Sequence, residues 1–206
     1  LVTRNAFKTI IVTGVPGVGK TTVLNELKLE ASKKSIYIKV LNFGDYMFFE
    51  AQKSKLVNNR DELRKLPHRV QLQLQEVAAR KIIDEANVSL KANDVLIIDT
   101  HAVVKTKTGF WPGLPQHVIT QLYPDSIVLI EAEPREIIDR QAKDTTRERK
   151  DISGKGIQDL VELMNMARIA AMSSATLVGA SVFIVENPQG KANEAAQKIL
   201  ELAMNL

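Results

Sequence analysis

The stretch GVPGVGKTT runs from Gly14 to Thr22 and directly follows the apolar run KTIIVT. Gly14, Gly17, Gly19, Lys20 and Thr21 satisfy the pattern G-x-x-x-x-G-K-S/T, with Val15, Pro16 and Val18 at variable positions and Thr22 next in line. Glycines at such spacing let backbone N–H groups turn toward phosphate oxygens where side chains would block them. The helix that follows aims its N-terminus at the same anion. Lys20 is placed to reach the β- and γ-phosphates of a nucleotide, and the Thr21 hydroxyl to bind Mg²⁺. A second run, VLIID, ends in Asp99. A carboxylate at the carboxyl end of a strand beside that loop is suited to ordering the same ion.

What the chain does with a bound nucleoside triphosphate is decided by its other charges. The N-K-x-D base reader of a guanine-nucleotide switch does not occur. Asp99 is followed by Thr100 and His101, not by the catalytic glutamate of motor-type ATPases. A small-molecule kinase needs several cations from separate segments, and flaps that exclude water from a phosphoryl group in flight. Arg60 and Arg64 in NNRDELRK, Lys105 after the Asp99 segment, Arg140 in IIDR, and Arg147 and Arg149 in TTRERK have that character. Arg168 falls among Ile157, Leu160, Val161, Met164, Ala171, Ala175 and Val178, an apolar stripe at helical spacing. A guanidinium there calls for an anion, either an internal carboxylate or a bound phosphate.

Five continuously apolar, β-branched runs must position these groups: 7–13, 36–43, 94–99, 126–131 and 181–186. Helical patterns fall near 19–32, 45–56, 68–87, 134–143, 156–178 and 190–204. This alternation predicts an α/β fold, a five-stranded parallel sheet with helices on both faces. The link from about 44 to 93 is too long for a plain crossover and predicts a helical flap. The charged segment 141–156 reads as a lid, so 1–206 is one domain with two insertions. With 206 residues, 45% hydrophobic, the chain has ample material for one core. No cysteine is present, which excludes disulfides and thiolate zinc sites. No apolar run reaches a membrane span and no signal-peptide pattern is seen, so no membrane association and a cytoplasmic location are expected. A net charge of +4 fits nucleotide phosphates, and aromatics at 5% argue against a nucleic-acid stacking surface.

GVPGVGKTT, NFGDYM, NNRDELRKL, LIIDTHAVVKTKTGFWPGLP, EAEPREIIDRQAKDTTRERKD and MNMARIAA, taken in order, resemble the archaeal-type adenylate kinases, a P-loop nucleoside monophosphate kinase family. The resemblance covers nearly the whole chain. It implies the reaction ATP + AMP ⇌ 2 ADP with Mg²⁺, on a P-loop NTPase-type sheet with an AMP-binding flap and a short ATP lid. Residues 14–22 would then hold ATP phosphates, and Gly44 and Asp45 would open the AMP flap. Arg64 with Arg60 would touch the AMP phosphate, and Gly113 to Gln116 would lie near the adenine. Lys105 stands where bacterial relatives carry an arginine, which it cannot match as a bidentate fork. Lys20, Arg140, Arg147, Arg149 and Arg168 would neutralise the transferring phosphate. A homotrimer is a further implication. The competing readings are a kinase for another nucleoside monophosphate or a small metabolite, and a nucleotide-dependent RNA-binding or regulatory module.

Overall fold

The computed structural model describes residues 4–106, 108–143 and 156–206. Strand β1 (Lys8–Thr13) leads into α1 (Lys20–Lys33), followed by β2 (Ile38–Asn42) and α2 (Phe43–Lys53). A 3-10 helix (Arg60–Lys65) precedes α3 (His68–Ser89), and β3 (Val95–Asp99) returns to the sheet. Then come a hairpin, β4 (Val103–Thr106) with β5 (Gly109–Pro112), and α4 (Gln116–Leu122). The chain continues through β6 (Ser126–Glu131), α5 (Pro134–Lys143), α6 (Gly156–Val178), β7 (Ser181–Glu186) and α7 (Ala192–Asn205).

The five long strands form one parallel sheet in the order β2-β3-β1-β6-β7. Side chains alternate across each strand, so its neighbours face opposite layers. Ile10, Val12, Val95, Ile97, Val128 and Ile130 pack with α1, α7 and the first half of α6. Ile11, Leu96, Ile98, Ile127 and Leu129 pack with α3, α4 and the second half of α6. Burial on both faces is why the middles of β1, β3 and β6 are continuous apolar runs. Helix α6 therefore crosses from one layer to the other. A third, small cluster joins Ala51, Val57, Leu63 and Leu74 in the segment after β2. Helix α3 belongs to both sides of that division, since Leu74 lies in the small cluster while Ala78, Ala79, Ile82 and Ala86 lie on the sheet.

The short elements absent from the sequence expectation are α4, the 3-10 helix and the β4–β5 hairpin. The face expected of α6 also differs. Its buried positions are Leu160, Leu163, Met164, Ala167, Ala171, Ser174, Ala175 and Val178, while Ile157 and Val161 are exposed. Arg168 sits one position off the Ala167 row, with its side chain 49% exposed. It is not a buried guanidinium.

Candidate active site

The glycine loop joins the end of β1 to α1, at the carboxyl edge of a parallel sheet, where open α/β folds place their ligands. Gly17 and Gly19 have φ of 88° and 92°, the left-handed region where a side chain is strained. Space is also short: a Cβ on Gly14 would stand 2.6 Å from the Ile130 carbonyl oxygen, and one on Gly19 2.6 Å from Asn187 Nδ2. Gly19 is the N-cap of α1 and supplies no side-chain cap, so the first-turn N–H groups keep their capacity for an anion.

The loop's carbonyls are taken by side chains from three distant segments. His101 Nδ1 lies 3.3 Å from Gly14 O. Gln141 Nε2 donates to Pro16 O at 2.6 Å. Val18 O accepts from Asn187 Nδ2 at 2.8 Å and from Arg140 Nη1 at 3.1 Å. Because a carbonyl only accepts, His101 must carry its proton on Nδ1 to make its bond. Burial, with Lys20 nearby, pushes the imidazole pKa down to about 4, so the ring is neutral at ordinary pH.

At the head of α1, Lys20 Nζ pairs with Asp99 Oδ1 at 2.7 Å. The other Asp99 oxygen accepts from Asn42 Nδ2 at 2.8 Å. Asn42 and Asp99 are register partners at the carboxyl ends of β2 and β3, which is why they meet. Asn42 Oδ1 in turn accepts from Arg60 Nη2 at 3.0 Å and from the Asp45 backbone N–H at 3.1 Å, and Arg60 also pairs with the Asp45 carboxylate. Lys20, Gly44, Arg60, Asp99, His101 and Gly113 thus share the wall of one cleft, about 140 Å³ in volume. The cleft runs from the phosphate loop to the helical segment after β2.

Not every residue singled out in the sequence joins this cleft. Val15 and Val18 are buried beneath the loop, and Thr21 and Thr22 are exposed on the first turn of α1. Arg64 lies on the exposed 3-10 helix, and its charge reaches His101, whose pKa it helps to lower. Lys105 is outside the lining: it pairs with Glu162 at 3.4 Å and Asp159 at 3.9 Å of α6 and lies over Phe110. Gln116 is exposed at the start of α4. Arg140 is held by Glu136 (2.9 Å), Gln189 (2.9 Å) and the Asn187 carbonyl (3.0 Å) in addition to Val18. Arg168 makes a bidentate pair with Glu131, at 2.7 and 2.5 Å, beside the loop's floor. Arg147 and Arg149 lie outside the described residues. Among the described residues, no cluster of three or more His, Cys, Asp or Glu forms a protein-only metal cage.

Sequence reasoning missed Asn42, Gln141 and Asn187. Asn42 and Asn187 close or directly follow strands that end beside the loop, which is the signal that points to them. Gln141 offers no such signal beyond its place after Arg140.

A family model described as an AAA domain matches residues 13–158. Two shikimate kinases share the fold: one from Acinetobacter baumannii, in complex with shikimate, at TM-score 0.59 and 18% identity, covering 98% of this chain and 95% of that one. The other, from Bacteroides thetaiotaomicron, has TM-score 0.56 and 16% identity, with 97% and 99% covered. Much nearer in sequence is an adenylate kinase from Sulfurisphaera tokodaii, 51% identical over 190 residues, 92% of this chain and 96% of that protein. The adenylate kinase of Saccharolobus solfataricus is 45% identical over 194 residues, 94% and 98% of the two chains. That of Methanocaldococcus jannaschii is 42% identical over 195 residues, 95% and 97%. With identity at this level along nearly the full length, and a phosphate loop whose lysine lines the adjoining cleft, the chain belongs to the adenylate kinase family.

Proposed function

We propose that this adenylate kinase holds the ATP phosphates in the loop Gly14–Thr22 and receives AMP in the adjoining cleft. The observation that carries this reading is the position of Lys20, which belongs to the loop and also lines the cleft beside Arg60, Gly44 and Gly113. A cation at the junction of the two sites is placed to follow the phosphoryl group from donor to acceptor. Transfer between two phosphates needs no general base; it needs alignment and positive charge on the equatorial oxygens.

Arg60 and Arg64 on the flap side and Arg140 and Arg168 on the loop side supply that charge, with the lid's Arg147 and Arg149. Arg60 exchanges part of its pairing with Asp45 and Asn42 for the AMP phosphate, and Arg168 divides its guanidinium between Glu131 and the donor phosphates. Gly113 keeps the hairpin close to His101 at the acceptor end. Lys105 and Gln116, which face away from the cleft lining, serve the acceptor only if the hairpin and α4 move toward it.

Asp99 and Thr21 are the groups that would hold Mg²⁺. They fit it: the carboxylate and hydroxyl are hard oxygen donors on adjacent strand and helix ends, few enough to leave the ion its waters and the phosphates. Bound there, the ion would supply positive charge to offset that of the phosphate oxygens. Among the described residues, no helix is long and apolar enough to cross a membrane. A cytoplasmic protein, assembled as a homotrimer, completes the proposal. The exposed Ile169, Met172 and Leu177 of α6 offer apolar surface for such contacts.

The test is ADP formation from ATP at fixed Mg²⁺, with and without AMP, then with UMP, CMP, GMP or shikimate in its place. A rate that depends on AMP and is largest with it is the expected result. ATP loss indifferent to AMP refutes the assignment of the cleft.

A further inference from the structure

The peptide bond is planar and trans, so the C=O of one residue and the N–H of the next point in opposite directions. Fixing a carbonyl on one side of the loop therefore aims the following N–H at the other side. The carbonyls so fixed are those of Gly14, Pro16 and Val18, every second residue. The N–H groups aimed away from them belong to Val15, Gly17 and Gly19. Two of those are the loop's left-handed glycines, which have the widest choice of conformation and the most to lose without a restraint.

The restraining groups are built in. Asn187 is only 4% exposed, and its own backbone N–H is tied to Glu131 O at 2.7 Å, so its amide is presented from a fixed strand end. Gln141 packs its stem where a Gly17 Cβ would come within 2.6 Å of Cγ, so it covers the loop as well as binding it. Neither side chain belongs to the loop, the metal ligands or the arginine set. Their function is to shape, from outside, the face that meets the phosphates.

We propose that Gln141 and Asn187 are positioning residues for the donor nucleotide, preorganising the phosphate loop by holding its carbonyls outward. The inference rests on the assignment of this loop to the ATP phosphates. It predicts that their loss weakens phosphate binding specifically, leaving AMP unaffected, because the cleft lining includes neither residue.

The experiment uses Gln141→Met, which keeps the length of the stem and removes the donor, and Asn187→Ala. Steady-state KM for ATP and for AMP is measured, together with calorimetric Kd for MgATP and for inorganic tripolyphosphate, which has no adenine. Each variant is expected to weaken MgATP and tripolyphosphate alike, by about three- to tenfold, the range of one lost hydrogen bond. KM for AMP stays within about twofold, since no bond to that site has been removed. Asn187→Ala retains the Arg140 bond to Val18 and so keeps the loop's fold. Weakening of MgATP without tripolyphosphate would overturn the proposal, by placing the effect at the adenine. So would unchanged affinities in both variants, or an equal rise in both KM values with a fall in Tm. Lys20→Ala is run alongside: if tripolyphosphate binding ignores it, the loop assignment itself fails. If it abolishes binding while Gln141→Met and Asn187→Ala do nothing, only the positioning role fails.

Discussion

Gly113→Ala tests how tightly the hairpin is fastened to the sheet. A Cβ at this position would stand 1.8 Å from the His101 carbonyl oxygen and 2.9 Å from its carbon, both backbone atoms. To reach even the 3.0 Å limit of real Cβ contacts, one side must retreat by about 1.2 Å. The loop carrying His101 is poorly placed to yield. Thr100 N–H is bonded to Val12 O at 3.1 Å, Ala102 N–H to Thr13 Oγ1 at 2.7 Å, and the His101 ring reaches Gly14 O. The hairpin must therefore move, breaking the 2.8 Å bond from Gly113 N–H to Ala102 O. Overpacking of about 1–3 kcal/mol and a lost buried bond of about 1 kcal/mol together place the cost at about 3 kcal/mol. For a chain of this length that lowers Tm by roughly 10 °C. Because Gly113 and Val104 line the cleft, a displacement of an ångström there is also expected to reduce kcat, by up to about 100-fold. Urea unfolding with steady-state kinetics for ATP and AMP measures both. A stability loss below about 1 kcal/mol refutes the close approach, and a normal KM for AMP separates the hairpin from the acceptor site.

Three other outcomes are expected. Lys20→Ala removes the cation at the donor–acceptor junction and lowers kcat by at least about 100-fold, read by coupled ADP assay; near-normal turnover contradicts the loop assignment. Arg168→Ala lowers kcat by about 100-fold at a stability cost of about 1 kcal/mol or somewhat more, the half-exposed guanidinium being screened by solvent but its partner Glu131 being buried. Glu131→Gln loses similar stability but keeps kcat within about threefold, so matching kinetic losses in the two variants assign Arg168 to the ion pair alone. His101 titrates near 4 in the folded protein against 6.5 when free. The unfolded chain thus takes up the proton first, and folding stability, complete above about pH 6.5, falls as pH drops toward 4, by about 3 kcal/mol at most. Replacement by Gln should flatten that part of the urea-midpoint profile, and an unchanged slope contradicts the burial of the ring.

The long strands and the phosphate loop are legible in the sequence because each is encoded locally. Continuous β-branched runs signal strands buried on two faces, and the glycine spacing itself defines the loop. Val103–Thr106 and Gly109–Pro112 have neither signal: four residues each, the first half polar, the second with a glycine and a proline. Helix α6 was harder to read because it crosses between layers and carries small residues on several faces, so an apolar stripe can be drawn through more than one set of positions. Arg168 falls on one such stripe, yet the true buried row runs through Ala167 and Ala171. Gln141 and Asn187 meet the loop across separations of 125 and 169 residues, which no local pattern records.

The small cluster of Ala51, Val57, Leu63 and Leu74, with Met47, Phe48, Leu66 and Val70 against it, stands beside the two layers that clamp the sheet, Met47 packing against both it and one of those layers. So few apolar contacts give the segment a local stability well below that of the whole chain, and its amides exchange with solvent through openings that leave the sheet intact. On heating, the platform that carries Arg60 and Arg64 loosens first. Catalysis then fades while the circular dichroism of the sheet and its helices is still that of the native fold. The upper working temperature of the enzyme is therefore expected to follow the loosening of this platform and not the melting of the sheet.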